Sequence, residues 1–220
     1  MNLKTMVVCA ARTGSQLLIN ALKDSDISVA PRSAELFCGH PGAMPYPEFL
    51  TVDFKRVPTD YWDKHSNMGH IAAGHSRCEL FKLLYHHLSP EVEGGIKTFH
   101  FFHLKRRNLL AQYVSGKAAS VVGWECNRRF NGSMQLDLDQ FIHFRDYCLS
   151  KWSLYDSYPK SVPLWFEDGL DVNLSIVCDK TGIKRPNHTP KTIKVVSPDL
   201  SQVIENYKDF KEHDFDYSRL

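Results

Sequence analysis

Residues 10–16 read A-A-R-T-G-S-Q, and the reading of the fold turns on them. They follow Met6-Val7-Val8-Cys9 and precede Leu17-Leu18-Ile19-Asn20-Ala21-Leu22. A β-branched run, a small-residue turn and leucines at helical spacing predict strand, loop and helix in succession. Loops of this kind suit anions, because the first N–H groups of the helix have no internal partner and point outward. The common nucleoside-triphosphate version needs G-x-x-x-x-G-K-[ST], with a lysine beside the last glycine. Here Ser15 follows Gly14, and the cation, Arg12, precedes the glycine. A different anion is therefore expected.

Working outward, the composition narrows the choice. The chain has 220 residues, enough for one domain with a substantial core. Its 43% hydrophobic and 24% charged residues are an ordinary globular balance. A net charge of +2 is too slight for broad nucleic-acid binding, so a small anionic ligand in a local basic pocket fits better. No stretch approaches 18 uncharged apolar residues, so no membrane span is expected. The N-terminus carries Lys4 but no apolar signal segment, which predicts a cytoplasmic protein. The six cysteines form no C-x-x-C pair and are expected to be reduced structural thiols. The eleven histidines form no H-x-x-x-H or H-E-x-x-H pattern, so no metal site is expected.

The first strand–helix unit covers roughly residues 5–24. A polar, proline-rich stretch to about residue 67 follows, and connections that long are usually functional. Ile71–Ser76 is a short strand candidate, Glu79–Leu88 an amphipathic helix, and Ile96–Leu104 a strong strand. Asn108 is a good N-cap for a helix over Leu109–Ala119. Phe141–Tyr155 reads as a helix, Val162–Glu167 as a late strand, Leu170–Lys180 as a helix, and Ser201–Lys211 as a final helix. Strands alternating with helices predict an α/β fold with a parallel sheet covered on both faces. Ligands bind such sheets at the carboxyl ends of the strands. Three candidate sites fall there: Arg12–Gln16, Gly74-His75-Ser76-Arg77 and Lys105-Arg106-Arg107.

The last of these continues as L-K-R-R-N-L-L-A-Q-Y-V-S, residues 104–115. An arginine fork binds phosphate in bidentate fashion, and a serine hydroxyl adds a further bond. Either motif alone is compatible with ordinary structure; their order and spacing together carry the argument. R-T-G-S-Q-L-L resembles the 5′-phosphosulfate loop of sulfotransferases that use 3′-phosphoadenosine 5′-phosphosulfate (PAPS). K-R-R-N-L-L-A-Q-Y-V-S resembles their 3′-phosphate motif. The combination is most similar to the bacterial branch containing trehalose and nodulation-factor sulfotransferases. It runs from about residue 5 to 120, and more weakly through W-F-E-D-G-L at 165–170.

The resemblance implies a P-loop-like three-layer fold, with a central parallel sheet flanked by helices in a single domain over 1–220. It implies a loop-rich acceptor-site insertion at about 25–67. Arg12, Thr13, Gly14, Ser15 and Gln16 would cradle the 5′-phosphosulfate, and Arg106 or Arg107 with Ser115 would hold the 3′-phosphate. The cytosolic branch spaces its arginine eight residues before the serine, which selects Arg107; alignment to the bacterial branch selects Arg106, nine before. Gln16 stands where the family usually has threonine, and Asn108 where it commonly has aspartate. PAPS would be the co-substrate and 3′-phosphoadenosine 5′-phosphate (PAP) the product, with no metal. Partners would be a hydroxylated small-molecule or carbohydrate acceptor, with no nucleic acid; oligomeric state is left open.

Sulfuryl transfer needs an in-line acceptor, a base, and positive charge near the leaving oxygen. Glu35 in P-R-S-A-E-L-F is expected to be the base, with His75 a helper and Arg12 the loop cation. Two alternatives stay open: a P-loop kinase-like phosphotransferase, which shares the fold but needs the missing lysine, and a non-catalytic nucleotide-binding module.

Overall fold

The computed structural model describes residues 5–23, 25, 80–88, 93, 95–122, 129–187 and 199–213. Glu35, His75, the strand candidate over residues 71–76 and nearly all of the expected 25–67 insertion lie outside the described residues. Four described strands form one sheet: β1 (Thr5–Cys9), β2 (Leu80–Leu84), β3 (Phe101–Lys105) and β4 (Ser161–Trp165). Their order is β2-β1-β3-β4, and every pairing is parallel. The expected parallel α/β sheet is present. In register, Val7 faces Lys82 on one side and Phe102 on the other.

Among the described residues four helices cover the sheet: α1 (Ser15–Lys23), α2 (Leu109–Val122), α3 (Leu138–Asp156) and α4 (Leu170–Thr181). Side chains alternate between the two faces of a strand. Met6, Val8, Phe81, Leu83 and Phe101 pack against α2 and α3 through Leu110, Tyr113, Val114, Phe141 and Phe144. Val7, Cys9, Leu80, Leu84 and Phe102 pack against α1 and α4 through Leu18, Ile19, Leu22, Leu174 and Val177. Burying each of these large apolar side chains contributes about 1.5–3 kcal/mol. The helix starts are conventional: Asn108 Oδ1 accepts from the Ala111 N–H at 2.8 Å, and Asp137 Oδ1 from Gln140 N–H at 3.0 Å.

Three sequence expectations are corrected. The helix expected over 79–88 is instead β2 followed by a 3₁₀ turn, Tyr85–His87. The spacing of Leu80, Phe81, Leu83 and Leu84 suits a helix, but it equally serves a strand buried on both faces. The strand expected from Ile96 begins only at Phe101, because Thr98 and Phe99 donate their N–H groups back to Gly95 and Ile96 in a turn. The final helix over 201–211 is replaced by two 3₁₀ turns, Leu200–Gln202 and Tyr207–Asp209. There the Met134 N–H donates to Val203 O and the Glu205 N–H to Met134 O. Asn206 also exchanges two bonds with the Leu136 backbone, so tertiary bonds replace helical ones.

On the α3 face of β3, polar residues interrupt the apolar alternation. His103 is fully buried; its Nε2 meets the Tyr85 hydroxyl, and its Nδ1–H donates to Asp156 Oδ1 at 2.7 Å. Lys105 Nζ donates to Asp156 Oδ2 and sits 4.1 Å from the centroid of Trp165. Burial lowers the His103 pKa, so the imidazole stays neutral, donating through Nδ1 and accepting through Nε2. Burial alone would raise the Asp156 carboxyl, but bonds from His103 and Lys105 outweigh it and hold the carboxyl below its ordinary range.

At the far side of the sheet, β4 carries Pro163 opposite His103. Phe101 N–H donates to Lys160 O, so residues 162 and 164 face β3 and Pro163 faces away, where its missing N–H costs no ladder bond. Asp156→Ala would strand the Lys105 ammonium, which is 4% exposed, without its carboxylate. Allowing for the partial exposure of Asp156, a loss of about 2–3 kcal/mol is expected. Urea unfolding with an unchanged m-value would measure it, and a loss below about 0.5 kcal/mol would refute the assignment.

Candidate functional site

β1 and β3 are neighbours, yet their following helices leave to opposite faces, α1 with the Val7/Cys9 cluster and α2 with the Met6/Val8 cluster. Parallel sheets place ligands at the carboxyl edge of such a pair. The loop after β1 and the basic turn after β3 meet there. Arg12 Nε donates to Ser115 Oγ at 3.1 Å, joining residues 103 apart in sequence. Arg106 Nη1 donates to the Arg12 carbonyl at 3.3 Å. Thr13 Oγ1 closes the turn onto Ala10 O at 3.1 Å.

The loop backbone is unusual at two points. Arg12 has φ of +62°, the left-handed region that costs a non-glycine residue about 1 kcal/mol. Gly14 has φ of +86°, and a Cβ there would overlap the Phe166 ring. The turn leads into α1, where the Leu17 N–H donates to Gly14 O at 3.0 Å. The N–H groups of Ser15 and Gln16 open the helix and by geometry have no intrahelical acceptor. Gln16 brings only its backbone to the loop. Its amide Nε2 donates to Asn20 Oδ1 at 2.7 Å, and its Oε1 accepts from Lys82 at 3.1 Å.

The two arginines left open by the sequence have different surroundings. Arg107 Nη1 donates to Asp168 Oδ1 at 2.6 Å, and its guanidinium lies 4.7 Å from the Trp165 centroid. Arg106 lies beside Arg12, with its guanidinium 4.9 Å from the Phe166 centroid. Its Nε is buried and has no hydrogen-bond partner among the described residues. Burial lowers its pKa to about 10, with Arg12 adding to the shift and Glu167 opposing it, so it remains a cation at neutral pH. Among the described residues no carboxylate forms an ion pair with Arg12 or Arg106. The Arg12 guanidinium and the Ser115 hydroxyl are in contact and Arg106 reaches the Arg12 backbone, so two cations and a hydroxyl gather at this edge, an arrangement suited to a dianion.

Two groups have a supporting role that the sequence did not indicate. Gln112 is buried one helical turn before Ser115, and its Nε2 donates to Ala11 O at 2.6 Å. Its i, i+3 relation to Ser115 was the available signal. The second is the segment after β4. Glu167 accepts from the N–H groups of Arg107 and Asn108 at 2.9 and 3.1 Å. Trp165, Phe166, Glu167 and Asp168 thereby each grip part of Lys105-Arg106-Arg107-Asn108. Lys105 itself turns to Asp156 on the α3 face and takes no part in the cluster.

Fold and site together define a parallel α/β protein with an anion-ready sheet edge. No protein-family model matches the chain, and no curated protein or solved structure matches it significantly. No helix among the described residues is long and apolar enough to cross a membrane.

Gly14→Ala should destabilise the protein by about 1–3 kcal/mol, from overlap with Phe166 plus the positive φ. Adding Phe166→Ala should relieve the overlap but not the φ penalty, so thermal melts of the double variant should show partial recovery of the Gly14→Ala defect. A Gly14→Ala protein as stable as the native one would contradict the geometry.

Proposed function

We propose that the chain is a sulfotransferase moving a sulfuryl group from PAPS to a hydroxyl of a small-molecule or carbohydrate acceptor. The observation that carries this reading is the bond from Arg12 to Ser115 at 3.1 Å, between the two segments that resemble the 5′ and 3′ motifs. A donor carrying an anion at each end of a nucleoside suits two anion-ready turns on adjacent strands. The P-loop-like three-layer arrangement and a cytoplasmic setting belong to the same reading.

In it, Thr13, Gly14, Ser15 and Gln16 form the 5′ cradle, with Gly14 allowing close backbone approach. Arg106 and Ser115 take the 3′-phosphate. Arg106 is favoured over Arg107 because Asp168 already engages Arg107. The acceptor oxygen bonds to sulfur, the bond from sulfur to the bridging phosphate oxygen breaks, and PAP leaves with the electron pair. Glu35 takes the hydroxyl proton and His75 steadies charge near the sulfuryl group, the roles the resemblance implies. A sulfuryl group carries less charge than a phosphoryl group, so the loop and helix N–H groups can meet it without Mg²⁺.

Calorimetry should give tighter binding of PAP than of ATP. Arg106→Ala should cost about 1.5–3 kcal/mol of PAP affinity, the worth of a charge-assisted bond, and Arg107→Ala clearly less. ATP binding as tightly as PAP would favour the phosphotransferase alternative. Glu35→Gln should leave PAP binding nearly intact and lower turnover of labelled PAPS by about 10²–10⁴. Full activity in that variant would place the base elsewhere.

A further inference from the structure

The side chain of Arg12 makes its described contact with the half of the site built by β3 and α2. Its Nε bonds Ser115 Oγ at 3.1 Å, on α2. Its left-handed backbone, φ +62°, sets its carbonyl against Arg106 Nη1 at 3.3 Å. Gln112 fixes the preceding carbonyl, that of Ala11, from the same helix at 2.6 Å. Arg12 is therefore bound twice to the second motif, and its neighbour Ala11 once more.

We infer that Arg12 is a ligand of the 3′-phosphate, closing a cradle of Arg12, Arg106 and Ser115 around it, and is not a ligand of the 5′-phosphosulfate. This rests on the sulfotransferase reading of the site, and it removes Arg12 from the role of sulfuryl-side cation that the resemblance implies. Three features support it. Burial, with Arg12 adding to it, lowers the Arg106 pKa to about 10, and an anion held against this buried guanidinium offsets that cost. Arg106 Nε is a buried donor with no partner among the described residues. Ser115 accepts from Arg12 and has its own O–H to give. A phosphate monoester offers three acceptor oxygens for these donors. The cradle thus selects nucleosides carrying a 3′-phosphate monoester over those phosphorylated only at the 5′ end.

The test uses three probes on the full chain: PAP, adenosine 3′-monophosphate and adenosine 5′-monophosphate. Arg12→Gly is the informative variant, because glycine adopts a positive φ freely and the fold should not suffer. The expected result is a loss on the order of 10–100-fold for PAP and the 3′-monophosphate, with the 5′-monophosphate unchanged. Ser115→Ala should follow the same pattern. Combined with Arg12→Gly, it should add less than its separate effect, since both groups serve one phosphate. Arg12→Lys, which keeps charge but loses the fork, should fall between. Loss confined to the 5′-monophosphate, or equal for both monophosphates, overturns the inference while leaving the nucleotide site standing. Failure of the unaltered protein to bind PAP or the 3′-monophosphate at all overturns the sulfotransferase reading as well.

Discussion

The parallel pairing of β1 with β3 is the constraint on which the site depends. Val7, Val8 and Cys9 pair with Phe102, His103 and Leu104, so both strands run out at the same edge. Two turns almost a hundred residues apart are thereby set side by side, each with an arginine. A shift of one residue would turn every side chain of the strand to the other face. The apolar alternation opposes such a slip, because Phe101 and Phe102 belong to opposite cores. The pairing is thus held by burial, and the positive charges at its end are tolerated as a consequence. Like charges side by side are unfavourable, and within the two turns the described offset for Arg106 is the Arg12 carbonyl.

Support comes instead from the segment after β4. Lys105 pairs with Trp165 in the ladder, which brings the four residues 165–168 against 105–108. Each makes a different contact: an aromatic face for Lys105 and Arg107, a second ring for Arg106, one carboxylate on two backbone N–H groups, and another on Arg107. Phe166 also fills the space that a side chain at position 14 would need. One ring therefore sets the distance between the first loop and the second turn, and ties glycine at 14 to an aromatic residue far along the chain.

Much of this was legible in the chain and some was not, for physical reasons. The first strand, loop and helix were readable because β-branched residues, a small-residue turn and spaced leucines all agree. α2, α3 and α4 were readable in the same way, and Asn108 caps α2 as its position indicated. β2 was misread because four apolar residues around Lys82 fit a helix as well as a strand buried on both faces. The closing segment was misread because Asn206 and Met134 divert its backbone bonds to a distant stretch. Local pattern carries no record of such partners. Arg106 and Arg107 stayed open in the sequence for the same reason. The two differ in their surroundings through Asp168 and Phe166, which spacing within 104–115 does not contain.

Pro163 has an effect beyond the ladder it sits in. The outer rim of β4 comprises the backbone groups of Ser161, Pro163 and Trp165. The Ser161 N–H is taken by Tyr158 O, Pro163 has none, and the Trp165 carbonyl accepts from Asn173 Nδ2 at 2.8 Å. An incoming extended segment would find no N–H to accept from at Ser161 or Pro163 and an engaged carbonyl at Trp165. Open rims invite edge-to-edge aggregation, and a proline there is one of the ways proteins prevent it. Two of the three N–H positions on this rim are thus withheld from a further strand, which makes β4 a poor template for edge pairing beside the groups that support the site.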